Sequence, residues 1–200
     1  MSEPHPADAS VLDGDVATLL ARGDASSAAA SVVRALGPGL LGYLTALLRD
    51  EDNARDVLAE VAEHVLIALP RFRGDSTVKT WTYRIAWRTA MHFRDDPHRR
   101  RATSLRSSVA RSLVDEVRSS TAAYRRTAAR DWLETARREL SIEDQSLLTL
   151  RLDRGMSWAD VAEVMGATGG AADQAALRKR FERIKSRLRA AAERDGVLGG

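Results

Sequence analysis

The 200-residue sequence predicts an all-α protein, two small helical domains joined by a flexible linker. Three observations carry that expectation. Apolar residues recur at helical spacing along most of the chain, and no run alternates apolar with polar residues as a half-buried strand would. Between Asp95 and about Ser120 the composition shifts to Arg, Ser and Thr with little apolar content, Pro97 standing at its head, and this separates two folded stretches.

Taken in order, residues 1–24 lack helical periodicity and hold Pro4 and Pro6, so they read as a flexible N-terminal tail with room for a short helix over 16–22. Ser26 and Ser27 are candidate caps for a helix to Leu36, stopped by Gly37, Pro38 and Gly39. A second helix is expected over 40–49 and, after a polar turn at 50–52, a longer one to Leu69, ended by Pro70. In that longer helix Ala54, Val57, Leu58, Val61, Val65, Ala68 and Leu69 share one face. Past the loop 71–75, Asp75 or Ser76 caps a fourth helix with Val78, Trp81, Ile85, Thr89 and Phe93 as its buried stripe. Four helices on short turns make a domain over 25–96.

A linker follows over 97–120, with a partly helical segment around 109–117. The second domain, 121–194, opens with Trp132, Leu133, Ala136 and Leu140 at helical spacing. Ser141 and Asp144 have capping-box spacing ahead of Leu147 and Leu148, and Gly155 ends that helix. Ser157 and Asp160 repeat the spacing before a short helix faced by Trp158, Val161, Ala162 and Met165 and closed by Gly166. The last helix carries Leu177, Phe181, Ile184 and Leu188 inward and a dense set of Arg and Lys elsewhere, before a C-terminal tail at 195–200.

Composition narrows the function classes. The chain has no Cys, which excludes disulfides and thiolate metal sites and makes a reducing compartment, the cytoplasm, the expectation. No stretch approaches the uninterrupted apolar length of a membrane span and the N-terminus lacks a signal pattern, so a soluble, unexported protein is expected. The formal net charge is only +3, but acidic residues gather early and Arg concentrates after Arg71, an asymmetry that suggests two different partners. All basic residues but Lys79, Lys179 and Lys185 are Arg, whose planar fork suits phosphates and base edges; GC-rich codon usage would give the same bias.

Three constellations carry chemistry. The short helix, turn and basic helix from Ser157 to about Ala192 have the order of a helix-turn-helix, with the basic flank that phosphate attraction requires. Asp56 and Glu60 sit one turn apart near Glu63 with little basic compensation, which reads either as a solvated face or as a surface awaiting a basic partner. The fourth helix interleaves Tyr83 and Trp87 with Lys79, Arg84 and Arg88, a combination that stacks unpaired bases while neutralising their backbone. Packing against a neighbouring helix explains the two aromatics equally well, and core packing explains Trp81. His5, His64, His92 and His98 are scattered, no metal or cofactor site emerges, and no phosphate loop, activated Ser or paired acids suggest catalysis.

The run Asp50-Glu51-Asp52-Asn53-Ala54-Arg55-Asp56-Val57-Leu58-Ala59-Glu60-Val61, then Ala68-Leu69-Pro70-Arg71-Phe72-Arg73-Gly74-Asp75-Ser76 and Thr80-Trp81-Thr82-Tyr83-Arg84-Ile85-Ala86, resembles region 2 of extracytoplasmic-function sigma factors of the sigma-70 family. The stretch 140–188, centred on Gly155-Met156-Ser157-Trp158-Ala159-Asp160-Val161-Ala162, is similar to region 4 of the same family. The resemblance implies a non-catalytic subunit that joins core RNA polymerase, through its beta-prime clamp helices and beta flap, and directs it to promoter DNA. By it, Asp56, Glu60 and Glu63 dock on the clamp helices. Phe72, Arg73, Ser76, Lys79, Trp81, Tyr83, Arg84, Trp87 and Arg88 open the minus-ten element and hold a flipped base. Gln174, Arg178, Lys179, Arg180 and Arg183 meet the minus-thirty-five element. Many relatives also have an anti-sigma partner, which leaves no local signature in this sequence.

Three positions depart from the family pattern. Ala59 and Ala62 stand where Gln and Phe are usual, Arg88 and His92 where many relatives carry Asn, and the turn 166–176 is longer than usual, so the recognition helix starts early, near Asp173, or follows an extended loop. The alternative reading is a helix-turn-helix regulator that binds duplex DNA without being a polymerase subunit.

Overall fold

The computed structural model describes residues 6–95, 132, 135–167 and 169–197, and these fall into two units, one within 1–122 and one within 123–200. The described residues form helices and turns, with no strand among them. The expected linker 97–120, its helical segment, and Thr121 and Leu133 lie outside the described residues.

The first unit packs four helices: α1 (Pro6–Ala21), α2 (Ala25–Leu48), α3 (Glu51–Ala68) and α4 (Val78–Asp95). Two of them differ from the sequence reading. The expected tail 1–24 is largely the helix α1, which packs on α2 and touches α4, with Val16 1% exposed. A short apolar face gives little local periodicity, and it is the groove offered by the other helices that makes α1 worth forming. The two helices expected on either side of Gly37-Pro38-Gly39 are one, because Pro38 sits inside α2. Pro38 withdraws one backbone donor, but Val32, Val33, Leu36, Leu40, Leu41, Leu44 and Leu47 are all buried along the same helix. At about 1.5–3 kcal/mol per buried side chain, that stripe outweighs one missing hydrogen bond.

α2 is long and apolar enough, by length and composition, to cross a membrane, contrary to the sequence expectation that no stretch would be. Its buried residues pack in the bundle against α1, α3 and α4, which accounts for that apolar length without a lipid surface.

Local capping sets the turns. Asp24, not Ser26 or Ser27, caps α2 by accepting the Ser27 N–H at 3.0 Å, and the contact holds its carboxyl below the usual range. Arg49 closes α2 in the left-handed region at φ 58°, and Asp50 then caps α3 by accepting the Asn53 N–H at 2.7 Å. Glu51 and Asp52, expected in the turn, form the acidic first turn of α3, where the helix dipole favours them. A 3-10 turn, Leu69–Arg71, carries Pro70 and ends the run, as its missing N–H requires. Thr77, rather than Asp75 or Ser76, caps α4, its Oγ1 accepting the Thr80 N–H at 3.1 Å.

The second unit holds α5 (Ile142–Leu148), a π-helical turn (Thr149–Asp153), α6 (Trp158–Val164) and α7 (Ala171–Arg194), with a helical turn at 135–138 ahead of them. Ser141 caps α5 and accepts the Asp144 N–H at 3.2 Å. Ser157 and Asp160 form the full capping box at the start of α6. Gly166, at φ 82°, ends α6 in the left-handed conformation that a side chain would strain. The early start expected as one alternative for the last helix holds: α7 begins at Ala171.

Candidate functional site

Three surfaces follow from this packing. On α3, burial of Ala54, Val57, Leu58, Ala59, Val61, Ala62 and Val65 turns Asp56, Glu60 and Glu63 to the other side, where all three are partly exposed. Arg55 pairs with Asp52 at 2.6 Å and with Glu51, so the helix's basic residue is engaged within its own first turns. Asp56 has no such contact among those described. Partial burial, and then the charges of Asp52 and Asp50, push its carboxyl above the usual range. The departures Ala59 and Ala62 are 1% and 3% exposed, so they serve the bundle core and add nothing to the outer face.

The second surface joins the loop after the 3-10 turn to α4. Here the structure decides between the two readings the sequence leaves open for Tyr83 and Trp87, and it departs from the core packing expected of Trp81. Tyr83 is 2% exposed and packs edge-on against Tyr43 at 5.4 Å, and Trp87 is 9% exposed. Both are core residues and are not available to stack on a base. Trp81, placed in the core by sequence, is partly exposed together with Ile85, and its ring meets Phe72 at 5.2 Å and 53°. Either stripe, 81/85 or 83/87, has helical spacing; Tyr43 on α2 selects the second for the interior. Along α4, Lys79 and Arg84 are partly exposed, and Arg88 and His92 fully so. Ser76 is partly exposed in the loop, and Arg73 forms an exposed pair with Asp75 at 2.9 Å beside Gly74, whose φ is 75°.

The third surface is α7. Phe181 and Ile184 are buried, and Arg178, Lys179 and Arg183 are exposed, as are Arg187 and Arg189, which the sequence reading did not select. Arg180 departs from its expected role. Its Nε donates to Asp144 at 2.5 Å and its Nη2 to Ser141 Oγ at 3.3 Å, so it ties α7 to α5 while its side chain stays partly exposed. Asp144, 8% exposed, therefore gives its carboxylate to Arg180 and not to a capping box. Gln174 donates from Nε2 to the Gly169 carbonyl at 2.9 Å, closing the turn before α7. Two guanidiniums lie over the Trp158 ring, Arg151 at 4.8 Å and Arg178 at 5.8 Å, and the ring meets Phe181 edge-on at 5.4 Å. The ring thus braces Arg178. No local sequence signal marks the Arg180–Asp144 or Arg151–Trp158 contacts, since each joins separate elements.

Among the described residues no group of three or more His, Asp or Glu is placed to hold a metal. What these surfaces offer is charge and stacking: an acidic face, an aromatic pair flanked by cations, and a braced basic helix.

An all-α protein with a four-helix unit, followed by a unit in helix-turn-helix order, is the class that the fold defines. Residues 32–104 match the family model for Sigma-70 region 2. The chain is 31% identical over 132 residues to the RNA polymerase sigma-H factor of Pseudomonas aeruginosa, covering 63% of this chain and 68% of the relative. It is 26% identical over 129 residues to RNA polymerase sigma factor YlaC of Bacillus subtilis, covering 64% and 73%. No solved structure matches. The chain belongs to the sigma-70 family of RNA polymerase sigma factors, in its extracytoplasmic-function group.

Proposed function

We propose that the protein binds core RNA polymerase and directs promoter-specific initiation in the cytoplasm, as a non-catalytic subunit that leaves RNA synthesis to the core. The acidic face of α3, Asp56, Glu60 and Glu63, docks on the beta-prime clamp helices. The loop from Phe72 to Thr77, with Trp81, Lys79, Arg84 and Arg88 on α4, opens the minus-ten element and holds an unpaired base, whose unstacking costs a few kcal/mol that aromatic contact offsets. On α7, Arg178, Lys179 and Arg183 meet the minus-thirty-five element, with Arg180 holding the helix in place. The second unit is also the natural partner of the beta flap.

The observation that supports this reading best is that the stretch matched to Sigma-70 region 2, residues 32–104, contains both the acidic face and the Phe72–Trp81 surface. The test is run-off transcription with purified core polymerase and a promoter library, with and without the protein, sequencing the transcript starts. New starts sharing two spaced upstream elements, lost in the Asp56→Lys/Glu60→Lys variant, establish the reading. Duplex binding with no new starts would instead make the protein a helix-turn-helix regulator that acts without the polymerase.

A further inference from the structure

The proposed function leaves α1 without a role, yet one of its side chains reaches the loop assigned to promoter opening. Asp13 Oδ1 accepts the backbone N–H of Val78, the first residue of α4, at 2.8 Å across 65 positions of sequence. Three residues on, Val16 is buried and fastens the same helix to the bundle. Thr77 Oγ1 already accepts the Thr80 N–H, so Asp13 takes a different one of the donors that the start of α4 leaves over. A carboxylate there also lies at the positive end of the helix dipole.

We propose that Asp13 is a positioning residue for promoter opening. It fixes where the loop from Phe72 to Thr77 ends and α4 begins, and so where Phe72 and Trp81 stand when a base is to be held. The inference rests on the reading of that loop given above. Elsewhere the loop is held by the Phe72 N–H on the Leu69 carbonyl at 3.0 Å, by the Phe72–Trp81 ring contact and by Thr77, whose Oγ1 and carbonyl accept the Thr80 and Trp81 N–H groups, while the Arg73–Asp75 pair is exposed and Gly74 adopts a left-handed conformation. At its far end Val78 and Thr80 are 1% and 2% exposed, so the junction between the exposed loop and the packed helix falls where Asp13 binds. Its influence passes through the backbone of Val78.

The experiment compares full-length wild type, Asp13→Ala and Asp13→Asn with core polymerase on one promoter recovered from the library, as closed duplex and as a template already unpaired across the minus-ten element. Thermal melting and core affinity are measured alongside. Asp13→Ala is expected to initiate about fivefold more slowly on the duplex, the effect of losing one helix-start acceptor. Its core affinity stays unchanged, most of its rate returns on the unpaired template, and Asp13→Asn, which keeps an oxygen acceptor, behaves close to wild type. Equal rates for Asp13→Ala and wild type on the duplex would overturn the proposal. So would a loss that is the same on both templates and tracks the melting temperature, since that is a folding defect alone. A wild-type chain that gives no initiation on either template removes the sigma reading and this proposal with it.

Discussion

Replacing Asp56 by Asn should make the first unit more stable and the protein a weaker partner for the polymerase. Asp56 lies one helical turn from Asp52 and six residues from Asp50, in a partly buried position that raises its carboxyl. A like-charge pair at that spacing costs about 0.2–0.5 kcal/mol, and Arg55, which pairs with Asp52, keeps the figure toward the lower end. For a unit of this size 1 kcal/mol moves the melting temperature by about 4–8 °C, so Asp56→Asn should melt about 1–4 °C higher at neutral pH. The sign of the pH dependence follows from the raised folded value. The folded state holds the Asp56 proton more tightly than the unfolded chain does, so there is no penalty below the usual Asp range, and it grows as pH rises through the folded value. The gap between variant and wild type should therefore close on acidification. Core affinity should fall about tenfold or more, as for a central interface residue. Circular-dichroism melts across a pH series and a fluorescence titration of core polymerase measure the three quantities. A variant that melts no higher than wild type at neutral pH, or a gap that persists in acid, refutes the charge argument. Unchanged affinity refutes α3 as the docking face.

Other substitutions separate the remaining roles. Trp87→Ala should cost about 3–5 kcal/mol as a core truncation, whereas Trp81→Ala should cost about 1 kcal/mol and abolish initiation on duplex templates, which denaturant melts and run-off assays distinguish. Arg180→Ala leaves the buried Asp144 with only the longer Arg187 contact, 3.9 Å, and should destabilise the second unit by about 1–3 kcal/mol, with Arg180→Lys recovering part. It should weaken DNA binding without changing the salt slope, while Arg183→Ala should lower the slope by about 0.9, as loss of one phosphate contact does. Pro38→Ala returns a donor to the middle of α2 and should stabilise the first unit by about 1 kcal/mol or more; a lower melting temperature would show that the Pro38 ring itself packs.

What could be read from sequence was what neighbours in sequence decide. α3 was legible because Asp50, the apolar face from Ala54 to Val65 and Pro70 are all local signals, and α6 because its capping box and Gly166 are. α1 was read as tail because its burial depends on helices formed far along the chain. α2 was split because a Gly-Pro-Gly run is a local breaker, and tertiary burial overrode it. On α4 the helix was legible but not its orientation, since two aromatic pairs had equal spacing and Tyr43, 40 residues away from Tyr83, decided between them. Arg180 looked like its basic neighbours until Asp144 on α5 was placed against it. The acidic face and most of the basic helix were legible; which cations are committed within the fold was not.

These exceptions bear on function, because a sequence departs from its own local rules where something other than folding constrains it. On α3 the departure is Asp56, held beside like charge with a raised carboxyl, when Asn would be the quieter choice. On α4 it is a tryptophan and a phenylalanine left partly in solvent while another tryptophan fills the core. On α7 the density of exposed Arg is tolerable because Asp144 engages Arg180 and Trp158 braces Arg178, which stays exposed with Lys179 and Arg183. Each feature costs the isolated protein some stability, and each lies where the sigma reading requires a partner. Single substitutions that stabilise the free chain at Asp56, Phe72 or Trp81 should therefore lose function in proportion to how well they succeed, whereas one at Pro38, inside α2, should not.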